Sequence, residues 1–239
     1  MDKISQKDID WLLNLNKTDA LQGSEPSAAK KKWLQVLFWA LLIGGLGILP
    51  FFILIRTSIF LNLSFGWNGW LALSGGIFAT VMLLLLYVLF LFRRTSNKKL
   101  LLKFSLAGLG TLVFAFCFYG VMYLSSVNAK SDEVRQVYRS MHPILRVAIA
   151  TTTLADGDLV ITDIQRAPAD YAAMGIPLNE RSLHFTQSSG YVHAIDLRTI
   201  GHNEVRNFLL RSSFKIMGFK TIRHIGTADH LHVALPPSY

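Results

Sequence analysis

The chain has 239 residues, 51% of them hydrophobic, and 24 Lys+Arg against 15 Asp+Glu give a formal net charge of +9. From Ser126 onward 12 basic side chains face 10 acidic ones, so the excess charge lies beside apolar sequence; this suits membrane topology and argues against a nucleic-acid-binding surface. The single cysteine, Cys117, excludes an internal disulfide.

Residues 1–32 are polar and end in a Lys30-Lys31-Lys32 cluster after a Gly-Ser-Glu-Pro-Ser linker. The apolar sequence begins too late for a cleaved signal peptide. Within this segment, residues 4–14 predict a short helix. Ser5 caps it, Asp8 completes an approximate capping box, and Ile9, Leu12 and Leu13 share one face. The run resembles the N-terminal peptide of flagellar motor-switch proteins, with Lys7 in place of the first acid and Trp11 in place of a small residue. The resemblance implies a cytoplasmic docking partner; the alternative is an amphipathic helix lying on the membrane or on a neighbour.

Residues 33–125 predict three transmembrane helices. Trp33 to Ile55 carries no charge, nor do the 36 residues between Arg56 and Arg93, densest at 70–92, nor Phe104 to Leu124. Each run meets the roughly 20 apolar residues that a bilayer core requires. Basic residues flank the first run (Lys30, Lys31, Lys32) and separate the second from the third (Arg93, Arg94, Lys98, Lys99, Lys103), whereas Arg56 stands alone between the first two. Positive charge is retained on the cytoplasmic side. The N-terminus is therefore expected to be cytoplasmic and residues 126–239 extracytoplasmic. No ionisable group other than Cys117 and the tyrosines falls within the expected spans, which argues against an intramembrane ion pathway and for an anchor.

Residues 126–239 predict a small α+β domain with a mostly antiparallel sheet. A helix through Val134, Val137 and Met141 should break at His142-Pro143. Asp158–Ile164 and Tyr191–Leu197 have strand patterns, and Pro168–Met174 suits a short helix. Asn203–Met217 has helical spacing and stops at Gly218; Lys220–Ile225 and Leu231–Leu235 suit short strands.

All seven histidines lie in this region, six of them between Ser182 and Pro236. His230 and His232 stand one residue apart on an expected strand, which puts both on one face. Imidazole suits zinc, and two neighbours on a strand would fix its geometry; such pairs also occur without metal. Asp196, between Ile195 and Leu197, needs a partner if buried: a metal, or a salt bridge to Arg166 or Arg198. His202 and His224 suit structural positions, and Arg181 suits solvent or a bound carboxylate.

Arg166, then Ser182-Leu183-His184, then Ala194-Ile195-Asp196, then Asp229-His230-Leu231-His232 follow in that order. This resembles the LAS superfamily of zinc peptidases and, within it, the D-Ala-D-Ala carboxypeptidases, with their S-x-H-x-x-G-x-A-x-D motif and a later D/E-x-x-H. The resemblance covers about residues 158–236 and none of the apolar runs. It implies that His184, Asp196 and His232 are zinc ligands, with water in an open fourth position. It implies Asp229 as general base, His230 as the residue that stabilises the oxyanion or orients water, and Arg166 as a substrate-binding residue.

Two departures stand out. His184 and Asp196 are twelve positions apart, more than in the family, and Val192 occupies the place of the motif glycine. An insertion containing Ser188-Ser189-Gly190 is expected to loop out. His193 is the alternative ligand, although three residues before Asp196 on a strand it points to the opposite face.

The expected protein is a bacterial inner-membrane zinc metallopeptidase acting on peptidoglycan stem peptides, as a D,D- or L,D-carboxypeptidase or an endopeptidase. The alternative is a catalytically inactive peptidase-like module that binds wall peptides for sensing or scaffolding. A lipid bilayer is the expected surrounding of the spans.

Overall fold

The computed structural model describes residues 6–7, 9–11, 28–173, 175, 177–226 and 229–237. Most of the expected docking helix, including Ser5, Asp8, Leu12 and Leu13, lies outside them. The chain divides into two compact units, Met1–Gly47 and Ile48–Tyr239.

Three helices are long and apolar enough to cross a bilayer: α1 (Ala28–Phe65), α2 (Gly69–Leu91) and α3 (Lys98–Met122). In the first unit, α1 exposes Trp33, Phe38, Leu41 and Ile43. In the second, α2 and α3 expose Phe78, Phe90, Leu112 and Phe114. Water would oppose such surfaces, whereas lipid accepts them. Asn68 and Asn97 cap α2 and α3, their side chains accepting hydrogen bonds from the amides of Leu71 and Leu100.

The second span runs as expected, whereas the first and third are longer. Arg56 was expected in a loop, but it lies inside α1, which continues for nine further residues to Phe65. Only residues 66–68 join α1 to α2. The sequence after Arg56 sustains the helix because it has something to bury: Ser58 and Ile59 are almost fully covered.

The remaining chain forms α4 (Asp132–Gln136), α5 (Pro143–Ala155), β1 (Ile161–Asp163), α6 (Pro168–Ala173), β2 (Ala194–Arg198), α7 (Glu204–Met217), β3 (Lys220–His224) and β4 (His230–Ala234). Pro143 opens α5, where its missing N–H and fixed φ cost nothing, so the expected break at His142-Pro143 is present. Asn203 caps α7, and Gly218 ends it with a left-handed φ of 111°.

The sheet is fully antiparallel in the order β1-β2-β4-β3. Its register sets Ile195 opposite Val233 and Leu197 opposite Leu231, and Asp196 opposite His232. Alternation therefore gives one apolar face and one face bearing Asp196, His230 and His232. The apolar residues join Phe214 and Leu210 of α7 and Ile144, Leu145 and Ile149 of α5 in one core.

That core does not stop at Ser126. Ile55 and Ile59 of α1, Ala72 of α2 and Leu124 belong to it, and Val147 of α5 belongs to the core between the long helices. Gly120 of α3 faces α5 so closely that a Cβ there would lie 2.7 Å from the Cβ of Ala150. Tyr138 donates to the Gly120 carbonyl (2.5 Å), and Arg146 to that of Val121 (2.7 Å). Residues 126–239 are thus packed on the ends of the long helices.

Candidate metal centre

Three side chains from separate parts of the chain meet on the polar face of the sheet. Asp196 comes from β2 and His232 from its neighbour β4, directly opposite in register. His184 comes from the loop before β2, where its amide donates to Ser182 Oγ (3.3 Å) and its Nδ1 lies 2.8 Å from the Ile164 carbonyl. A proton on Nδ1 satisfies that carbonyl and leaves Nε2 as a lone pair. A metal-binding imidazole needs this second hydrogen bond to fix its tautomer and orientation.

The atoms that converge are His184 Nε2, His232 Nδ1 and Asp196 Oδ1. Their separations are 3.3 Å between the two nitrogens, 2.9 Å from His232 to Asp196 and 3.4 Å from His184 to Asp196. Tetrahedral zinc with bonds near 2.0–2.1 Å would space its ligand atoms about 3.3 Å apart, so two sides of the donor triangle match that spacing and the 2.9 Å side is shorter. His184 and Asp196 are 2% and 3% exposed, and His232 is half-buried. No other group of three or more histidine, cysteine or acidic side chains with metal-binding spacing occurs among the described residues.

Asp196 is the electrostatic centre. Burial disfavours its charge, yet with protons on the ring nitrogens that face it, hydrogen bonds from His184 and His232 and their charge outweigh that and hold the carboxyl below the usual carboxylate range. Its second oxygen accepts a 2.5 Å hydrogen bond from Arg166 Nη2, and Arg166 Nε donates to Asp163 (2.5 Å). Burial works against the Arg166 charge, but the two carboxylates outweigh it. Arg166 is the residue expected to bind substrate. It lines the pocket, but its Nε and Nη2 hold Asp163 and Asp196, and its guanidinium lies over Tyr171. Asp163, three residues upstream, was not singled out from sequence; the D-x-x-R spacing was the available signal.

Asp229, expected as general base, is also placed elsewhere. It precedes the strand that begins at His230, and its carboxylate is engaged by other partners. Thr199 donates to it (2.5 Å), and Arg223 donates through Nε (3.0 Å) and Nη2 (2.7 Å). The Arg223 guanidinium, helped by Thr199, holds the Asp229 carboxyl down at about 2.

His230 does face the pocket. Its Nε2 lies 3.8 Å from Asp196 Oδ2, and its ring stacks on His224 at 4.8 Å. The pocket, about 380 Å³, is also walled by Arg181, Asn179 and Ile222. His224, expected in a structural position, and Arg181, expected in solvent or on a bound carboxylate, both border the centre.

His193 is excluded as the alternative ligand. Its Nε2 pairs with Ser189 Oγ (2.6 Å), its Nδ1 faces the Leu235 carbonyl (3.3 Å), and its ring meets His142 edge-on at 4.8 Å. The expected insertion forms a tight turn: the amide of Gly190 donates to Gln187, and that of Gln187 to Tyr191, with Gly190 at a φ of 80°. Looping out these residues brings His184 back to the sheet despite its sequence distance from Asp196. No protein-family model matches the chain, and neither a curated protein nor a solved structure is significantly similar to it.

Proposed function

We propose that this chain is a membrane-anchored zinc peptidase that cleaves peptidoglycan stem peptides. The carrying observation is the donor triangle of His184, Asp196 and His232, with dimensions that suit zinc and a pocket open beside it. The order of Arg166, Ser182-x-His184, Asp196 and His230-x-His232 resembles the D-Ala-D-Ala carboxypeptidases and supplies the substrate class. The same donors suit ferrous iron, so elemental analysis must accompany any assay.

Bound zinc would polarise a scissile carbonyl and lower the pKa of a water molecule. His184 and His232 would each supply a nitrogen lone pair, and Asp196 the anionic oxygen. Arg166 keeps the Asp196 carboxylate turned toward the histidines and balances its charge. His230 is the proton carrier at the pocket wall: it takes a proton from water and passes it to the leaving amine.

The positive residues support the placement. Lys30, Lys31 and Lys32 precede the first span, five more cations lie between Arg93 and Lys103, and the 66–68 connection has none. On this reading the N-terminus lies in the cytoplasm of a bacterial cell and the pocket outside its inner membrane, where wall peptides occur.

A second reading has its own support. Asp229 is held away from the pocket, which leaves no carboxylate base beside the donor triangle among the described residues. A non-catalytic domain that holds wall peptides would need none. One experiment separates the two readings: the full chain in detergent, supplied with zinc, is incubated with muropeptides carrying tetrapeptide or pentapeptide stems. Mass spectrometry should show loss of a terminal residue or a cut within the stem. Intact stems of both lengths, with zinc bound, would exclude the peptidase and leave the binding module.

A further inference from the structure

The wall of the metal pocket carries two arginines and one carboxylate, Asp196. The two arginines differ in their commitments. Arg166 is spent on Asp163 and Asp196, within 2.5 Å of each. Arg181 forms no ion pair among the described residues. Arg166 already faces two carboxylates, whereas Arg181, exposed at the pocket rim, faces none among the described residues.

Its backbone is fixed close to the ligands. The Ser182 amide donates to the Asn179 carbonyl (3.0 Å), closing a tight turn, and the Arg181 amide donates to the Asn179 side chain (3.1 Å). Ser182 in turn accepts from the amide of His184. Arg181 is thus anchored three residues from a proposed metal ligand, with a long side chain on a pinned turn. A planar guanidinium is the side chain best matched to two carboxylate oxygens at once.

We propose that Arg181 binds the free C-terminal carboxylate of the substrate peptide and makes the site a carboxypeptidase rather than an endopeptidase. This rests on the peptidase reading for its substrate class. An internal peptide segment brings no terminal carboxylate to this place. A peptide ending at the pocket brings a carboxylate to the arginine that has none.

The test uses binding and not turnover, so it is independent of whether the site cleaves. The metal-free full chain in detergent is titrated calorimetrically with a stem tetrapeptide as free acid and as C-terminal amide. The two ligands differ only at the proposed contact, and without zinc the carboxylate cannot bind the ion instead. The acid should bind roughly tenfold or more tightly than the amide. Arg181→Gln should abolish that preference and Arg181→Lys keep part of it, both with unchanged zinc stoichiometry on reloading. Equal affinities for acid and amide, no binding of either, or a preference that survives Arg181→Gln would each overturn the proposal. Cleavage of muropeptides by a protein that fails this test would leave the peptidase reading intact and point to an endopeptidase.

Discussion

Two close pairs of histidines lie among the described residues, one half-covered and one buried, and they are built on opposite charges. His184 and His232 meet around Asp196, with lone pairs converging on one point. His142 and His193 also meet, with rings 4.8 Å apart, but the charge beside His142 belongs to Arg146. His142 Nδ1 has no hydrogen-bond partner, and Arg146 lies over the rings of Trp70 and Tyr191. A cation would be welcomed at the first pair and repelled at the second. Burial and imidazole are common to both, so the carboxylate makes the difference.

The largest expected effect tests that distinction. His232→Ala or Asp196→Asn should reduce zinc, measured by elemental analysis, from about one ion per chain to a trace. His193→Ala should retain it. Loss of zinc from a folded His193→Ala protein would erase the contrast.

Next comes the packing that holds the second pair at the ends of the long helices. Ile59 of α1 is 2% exposed in a core shared with α5, α7 and the sheet. Ile59→Ala should cost about 2–5 kcal/mol in thermal or denaturant unfolding of the full chain. The fragment 126–239 lacks Ile55, Ile59 and Ala72 and should bind zinc more weakly than the full chain or fail to fold.

A smaller effect is specific to the histidine without an anion. Burial, with His193 and Arg146 nearby, pushes His142 down to about 3 from an ordinary value of 6.5. Its neutral form therefore stabilises the fold above pH 6.5, and that contribution declines as the pH falls from 6.5 toward 3. The decline should approach about 1.4 kcal/mol per pH unit. His142→Asn should be less stable at neutral pH, and its deficit should shrink in acid. A deficit constant with pH would mean that His142 does not titrate in this way.

The smallest effect concerns Asp229. Asp229→Asn should keep its zinc and lose about 1 kcal/mol of stability. The folded carboxyl is held at about 2 against 3.8 unperturbed, so the deficit should be full above pH 4 and vanish as the pH falls toward 2. Loss of zinc in this variant would return Asp229 to the metal centre.

Most of the secondary structure was legible because it rests on local rules. Pro143 can open a helix, Gly218 can end one, and alternation through Ala194-Ile195-Asp196-Leu197 specifies a strand. The same alternation bears on Asp229: His230 and His232 share a face, so Asp229 points away unless the strand is irregular there. The sequence motif suggests a catalytic role, whereas in the fold the Asp229 carboxylate pairs with Thr199 and Arg223. Arg56 misled for the opposite reason. A lone cation reads as the end of a span, but the helix extends past it because Ile59 has a core to enter. That core is assembled from residues far apart in the chain, and no local pattern announces it. The commitment of Arg166 to Asp163 and Asp196 is likewise tertiary, as is the placing of Arg181 and His224 at the pocket wall.

The continuation of α1 into this core sets the reach of the pocket. A domain on a flexible leash could sweep through a volume and search for its target. Here the last turns of α1, the first turn of α2 and the end of α3 are mortared into the same masonry as the sheet. The donor triangle is therefore held at one distance from the ends of the long helices, and any ligand must meet it there.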